Sequence, residues 1–178
     1  MSYCQAIKHM EEGQSKELHK NYHDNFYGVP IYDDNELFGR LVLEINQAGL
    51  SWTTILKKEP NFRQAYHNFN IKKVAAYTEA DRVRLMGDAG IVRHRLKINA
   101  AIENAKTIIL IQTKYGSFRQ WLDQHQALTK EEWTRLFKQT FKFTGGEIVG
   151  EFLMSIGLLP GAHDAECGVG ELIVGRVI

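Results

Sequence analysis

Apolar residues recur along this chain at intervals of three and four, and nowhere do they alternate with polar ones long enough to predict a strand. The pattern predicts an all-α protein of about seven or eight helices, with some further single turns. The predicted spans are 15–22, 34–47, 51–57, 60–68, 71–76, 79–87, 93–115, 117–125, 129–141 and 146–156. Thr78 with Asp81, Thr129 with Glu132 and Thr144 with Glu147 have the spacing of capping boxes, each ahead of a helical apolar pattern. Gly116 and Gly157 stand where helix C-terminal stops belong. Tyr66, Trp121, Trp133 and Phe137 fall at core positions, whereas His9, His19, His67 and His125 match no motif and are expected at the surface. The tail after Cys167 has no clear period.

Two segments depart from plain packing patterns. On the helix over 34–47, Leu37, Leu41, Ile45 and Ala48 form an apolar stripe, and Glu44 falls at its border. Gln47 follows three residues on, along the same strip. A carboxylate there is costly without a partner, which marks Glu44 as a candidate functional acid. The alternative is a surface glutamate held by a nearby arginine or cap.

The second segment, 79–115, reads as a helix, a tight turn bracketed by Gly87 and Gly90, and a second helix opening on Arg93, His94 and Arg95, with Lys97 close behind. Unpaired N–H groups at a helix start, together with basic side chains, suit a phosphate. Ile91 and Val92 should face the core. Lys57 and Lys58 form a smaller basic cluster. With a net charge of only +1, any nucleic-acid surface has to come from such local clustering. The competing reading of the basic run is a solvated helix face.

The 178 residues suit a single domain over 1–178, or two helical lobes sharing a core, with 125–129 as a candidate joint. No apolar run approaches the roughly 20 residues of a membrane span, and the first residues lack a signal-peptide core. A monomer in the cytoplasm, without membrane contact, is the expectation.

Five stretches, in order along nearly the whole chain, resemble the DNA-3-methyladenine glycosylase I (Tag) family. They are Y-H-D-x-x-x-G-V-P at 22–30, L-E-x-x-Q-A-G-L-S-W at 43–52, D-A-G-I-V-R-H-R at 88–95, F-K-F-x-G at 141–145 and H-x-x-x-C at 163–167. The resemblance implies an all-α helix-hairpin-helix DNA glycosylase fold, the hairpin lying at about 79–115. It also implies hydrolysis of the N-glycosidic bond of alkylated purines, 3-methyladenine above all, in double-stranded DNA. Glu44 then matches the family's central carboxylate. Tyr22 and Trp52 match aromatics of the base pocket, with Tyr27 and Gln47 beside them. Gly49 and Leu50 match the edge that presses into the duplex where the base leaves. Gly90, Arg93, His94, Arg95 and Lys97 become DNA-binding candidates.

Four positions, in three places, depart from the family pattern. Gln5-Ala6 follows Cys4 where Cys-x-Trp is common, Phe26-Tyr27 replaces Glu-Trp, and Ile45 replaces a glycine after Glu44. Two alternatives therefore stand beside the main reading: a glycosylase for another alkylpurine, and a non-catalytic damaged-DNA-binding protein of the same fold.

The resemblance also gives the two cysteines a use. Cys4, His23, His163 and Cys167 match the family's ligands for a structural Zn2+ that joins the N- and C-terminal regions. Two thiolates and two imidazoles would close a tetrahedral site with no open position.

Overall fold

The computed structural model describes residues 2–176, and among these every regular element is a helix. The helices are α1 (Tyr3–His9), α2 (Gln14–Asn25), α3 (Asp34–Gln47), α4 (Trp52–Ala65), α5 (Ile71–Ala75), α6 (Glu79–Met86), α7 (Arg95–Tyr115), α8 (Phe118–Gln124), α9 (Lys130–Thr140), α10 (Gly146–Ser155) and α11 (Gly168–Arg176). They fall into two compact units, Met1–Pro30 with Gly150–Ile178, and Ile31–Val149. The expected joint at 125–129 lies inside the second unit, between α8 and α9. No described helix is long and apolar enough to cross a membrane.

In the larger unit α3 packs against α4, α5, α7 and α8. All its residues from Leu37 to Asn46 are buried, so α3 is a central helix and not the one-sided amphipathic helix its stripe predicts. It enters on a cap, Asp33 accepting from the Glu36 N–H at 3.0 Å. The next residue, Asp34, caps another helix: its carboxylate accepts from the Phe118 and Arg119 N–H groups at the start of α8. Gly39 allows the closest approach on α3, because a Cβ there would lie 2.4 Å from the Phe69 ring.

Two of the three predicted capping boxes form, at Thr78–Asp81 and Thr129–Glu132. At the third position the Thr144 hydroxyl donates instead to the Phe137 and Phe141 carbonyls, and α10 begins at Gly146. Gly116 ends α7 at φ 92°, and Gly157 follows α10 at φ 73°.

The spans 51–57 and 60–68 are in fact one helix, α4, which runs through Pro60. The proline forgoes one hydrogen bond, but Leu56 and Phe62 are buried on either side and hold the helix together. After α4 the chain turns through His67, Asn68 and Phe69, all left-handed at φ 51–55°. α1 and α11 are additions to the expected set. The Ser2 hydroxyl caps α1.

Candidate functional site

The end of α3 and the start of α4 carry the first group of candidates. Glu44 is only 5% exposed. Gln47 closes the helix, and a tight turn follows. The Leu50 N–H donates to the Gln47 carbonyl at 2.7 Å, and Gln47 Nε2 donates to the Leu50 carbonyl at 3.0 Å. Ala48 at φ −52°, ψ 117° and Gly49 at φ 83° have the backbone of a type II β-turn, which requires a residue tolerant of positive φ at its third position. Leu50, 39% exposed, stands at the turn's end. Ser51 then caps α4, accepting from the Thr54 N–H, and Trp52 is the first helical residue. A buried acid, a rigid turn and a solvent-facing leucine thus lie within seven residues of chain, Glu44–Leu50.

The α6–turn–α7 pair forms as predicted, with one shift. α7 begins at Arg95, so Arg93 lies before it and His94 is its N-cap, Nδ1 accepting from the Lys97 N–H at 3.3 Å. Arg93, His94 and Arg95 are exposed. Arg95 pairs with Glu79 at 3.3 Å, both side chains in solvent. Ile91 faces the core, while Val92 is half-buried. Gly90 sits close under Asn61 and Asp88, and its N–H donates to Asp88 Oδ1 at 2.8 Å. Lys58 fastens the turn to α4 by donating to the Ala89 carbonyl.

Lys97 departs from the expected solvent-facing cluster. It is 4% exposed, and its ammonium donates to the Asn46 and Ala48 carbonyls at 3.0 and 2.6 Å. Burial pushes its pKa below the ordinary lysine value.

The unit built from the two chain ends carries the remaining candidates. Tyr22 and Tyr27 are buried there. Their rings lie 5.8 Å apart, and Tyr3 packs edge-on against Tyr27 at 5.2 Å. The Tyr27 hydroxyl donates to Glu151 at 3.4 Å.

Cys4, His23, His163 and Cys167 converge, with one donor atom from each within 4.8 Å of the others. His23 Nε2 lies 3.2 Å from Cys4 Sγ and 3.7 Å from Cys167 Sγ. His163 Nδ1 lies 3.9 Å from Cys4 Sγ and 3.7 Å from Cys167 Sγ. A tetrahedral ion with ordinary metal–sulfur and metal–nitrogen bonds spaces its ligands roughly 3.3–3.8 Å apart. The cluster can therefore hold a metal.

The surroundings of the cluster fit that use. His23 Nδ1 faces Asp24 at 2.7 Å, and His163 Nε2 faces the Tyr27 carbonyl at 2.7 Å. Each acceptor fixes the tautomer that turns the other nitrogen to the cluster. Burial holds His163 below the ordinary histidine pKa, which favours the neutral, ligating ring. Burial raises the Cys4 thiol, and the Asp164 N–H opposes the shift by donating to its sulfur at 3.4 Å. A cation would add a far larger opposing effect. The same Asp164 accepts from the Ser2 hydroxyl, tying the two ends together beside the cluster.

Sequence reasoning passed over Tyr3, Asp24 and Asp164. Asp24 carried a signal, since a carboxylate directly after a candidate ligand is a ready orienting group. His19, expected at the surface, is buried, its Nδ1 2.8 Å from the Tyr3 hydroxyl.

The sequence profile of the family described as methyladenine glycosylase matches residues 12–170. DNA-3-methyladenine glycosylase 1 of Escherichia coli K12 is 38% identical over 161 residues, covering 80% of this chain and 86% of the relative. The Haemophilus influenzae DNA-3-methyladenine glycosylase is 32% identical, covering 80% of this chain and 87% of its own. Among solved structures, 3-methyladenine DNA glycosylase I of Staphylococcus aureus superposes with a TM-score of 0.83 at 32% identity, covering 95% of this chain and 97% of its own. A variant of 3-methyladenine DNA glycosylase I in complex with 3-methyladenine gives 0.80 at 35% identity, covering 85% of this chain and 91% of its own. The matches cover 80–95% of this chain and 86–97% of the relatives, and the chain belongs to the methyladenine glycosylase family.

Proposed function

We propose that this protein is a monofunctional DNA glycosylase that removes 3-methyladenine from duplex DNA. The observation that carries the reading is Glu44: a carboxylate at the family's motif position, buried on the central helix one turn ahead of an exposed, rigid leucine-bearing turn. A 3-methyladenine nucleoside is cationic, so its glycosidic bond is already weak and little acid catalysis is needed. The C1′–N9 bond breaks with its electron pair passing to the base, which leaves as neutral 3-methyladenine. Water adds to C1′ and gives up a proton, leaving an abasic sugar. The protein's work is to extrude the damaged base and to distinguish it from normal ones.

Each candidate then has a task. Glu44 favours the electron-poor base and the developing sugar cation through charge. Gln47 adds a polar contact on the same strip. Tyr22, Tyr27 and Trp52 supply π faces that attract a cationic ring. Gly49 and Leu50 occupy the space the base vacates. Gly90, Arg93, His94 and Arg95 hold phosphates at a helix-hairpin-helix, without reading sequence. Cys4, His23, His163 and Cys167 hold a structural Zn2+: with four protein ligands no position is left for a reacting water.

A glycosylase for another alkylpurine is a second reading, motivated by Tyr27 and Ile45 where the family has tryptophan and glycine. Mass spectrometry of the free bases released from methylated duplex DNA tests both readings. Release of 3-methyladenine is expected. Release only of a different alkylpurine would favour the second reading, and no release at all would leave a binding protein.

A further inference from the structure

We infer that Lys97 is a positioning residue: its ammonium locks the turn that presents Leu50 and ties that turn to the start of α7. The inference rests on the reading of Leu50 as the group that fills the space left by the extruded base.

A helix leaves its last carbonyls without intrahelical partners. At the end of α3 two of these, on Asn46 and Ala48, accept from the single Lys97 Nζ at 3.0 and 2.6 Å. A positive charge at a helix C-terminus also complements the helix dipole. The ammonium also lies over the Phe143 ring, 5.8 Å from its centroid.

The Ala48 carbonyl belongs to the central peptide of the Gln47–Leu50 turn. Type I and type II turns differ by a flip of that peptide, and the type II form places the third residue at positive φ, as seen at Gly49. A flip would swing the Ala48 oxygen away from Lys97. The ammonium therefore selects one of two available turn geometries and holds fast the turn that carries Leu50.

Lys97 itself occupies the first turn of α7, where its N–H is capped by His94. Lys97 therefore joins the start of α7, where a phosphate would bind, directly to the leucine turn. A buried ammonium is costly to desolvate, and a residue used only for packing would not need the charge.

The test is a double-mutant cycle on the full chain. It reads single-turnover release of 3-methyladenine from methylated duplex DNA, together with the dissociation constant for free 3-methyladenine. Lys97→Met should slow release by roughly tenfold or more, the scale of a lost hydrogen bond to a charged group, and Leu50→Ala should slow it at least as much. Affinity for the free base should stay within about twofold, and the double variant should be little slower than Leu50→Ala alone, since Lys97 acts through Leu50. Lys97→Arg, which keeps the charge and donors, should recover part of the loss.

If Leu50→Ala slows release and Lys97→Met does not, the inference fails while the reading of Leu50 stands. Additive losses, or an equal loss of free-base affinity, would make Lys97 a merely structural residue. If Leu50→Ala has no effect, the reading and the inference fall together. Should Lys97→Met not fold, Gly49→Ala takes its place in the cycle. A Cβ there would meet nothing within 4 Å, so the substitution acts on the turn's backbone alone. Wild-type release by Gly49→Ala would then overturn the inference.

Discussion

Nδ1 of His163 lies 3.2 Å from Nε2 of His23, although 140 residues separate the two in the chain. Neutral imidazoles gain little by bringing two ring nitrogens so close, and each ring has its other nitrogen engaged elsewhere, on Asp24 or on the Tyr27 carbonyl. With two cysteine sulfurs in the same cluster, the arrangement suits a shared cation better than a hydrogen-bond network. Closing so long a loop restricts the unfolded chain strongly, so a metal there would contribute to stability through chain entropy as well as through its bonds.

Protein purified without added zinc should accordingly carry close to one zinc per chain, measured by plasma mass spectrometry. Chelation, or Cys4→Ser or Cys167→Ser, should lower Tm; a loss of about 3 kcal/mol corresponds to roughly 6–12 °C in a chain of this size. The excision rate of protein still folded at low temperature should change much less, because no ligand position is open to substrate. A fully folded, active sample with no bound metal would reject a structural metal at this cluster.

Glu44→Gln should leave Tm within a few degrees of wild type and slow 3-methyladenine release by roughly 10–100-fold, the equivalent of a lost charge-assisted hydrogen bond of about 1.5–3 kcal/mol. The isosteric change keeps the shape of a side chain that is almost wholly buried, so a loss of rate without unfolding isolates the charge. Unchanged release kinetics would remove Glu44 from the reaction.

Most of this architecture was legible in the sequence, for identifiable reasons. α7, α9 and the Thr78 and Thr129 caps follow from local periodicity and hydrogen-bonding chemistry. α1 was not legible because seven residues with two buried positions make no periodic signal. The glycines of α11 hid it similarly. Pro60 suggested a break that packing around Leu56 and Phe62 overrides. At the candidate site, Glu44 and the four cluster ligands could be found by motif. Lys97 was misplaced because a lysine in a basic run looks solvated, and only the folded chain reveals that the end of α3 lies beneath it.

Replacing Arg93 and Arg95 by alanine should weaken binding to damaged and undamaged duplexes alike. Each lost phosphate contact should flatten the slope of log K against log salt by roughly one unit. The exposed Arg95–Glu79 pair offers little competition, since such pairs contribute about 0–1 kcal/mol and screen readily. Fluorescence anisotropy titrations across a salt series read both quantities, and an unaltered slope would place the DNA surface elsewhere.

Gly39→Ala should disturb the reaction from a distance. The new Cβ would lie 2.4 Å from Cδ2 of Phe69, whose ring is fully buried. Phe69 cannot swing aside cheaply, because its ring is packed in the core beside Tyr66. Either the ring or α3 must move, at an overpacking cost of about 1–3 kcal/mol. If α3 yields, Glu44, five residues further along the same helix, moves with it, and excision slows along with the loss in Tm. The second substitution Phe69→Leu removes ring atoms at the point of collision. It should therefore restore both stability and rate to Gly39→Ala, although alone it lowers stability by leaving a cavity. Calorimetry and single-turnover excision on the four proteins decide the matter. Simple additivity of the two losses would show that the contact does not set the position of α3.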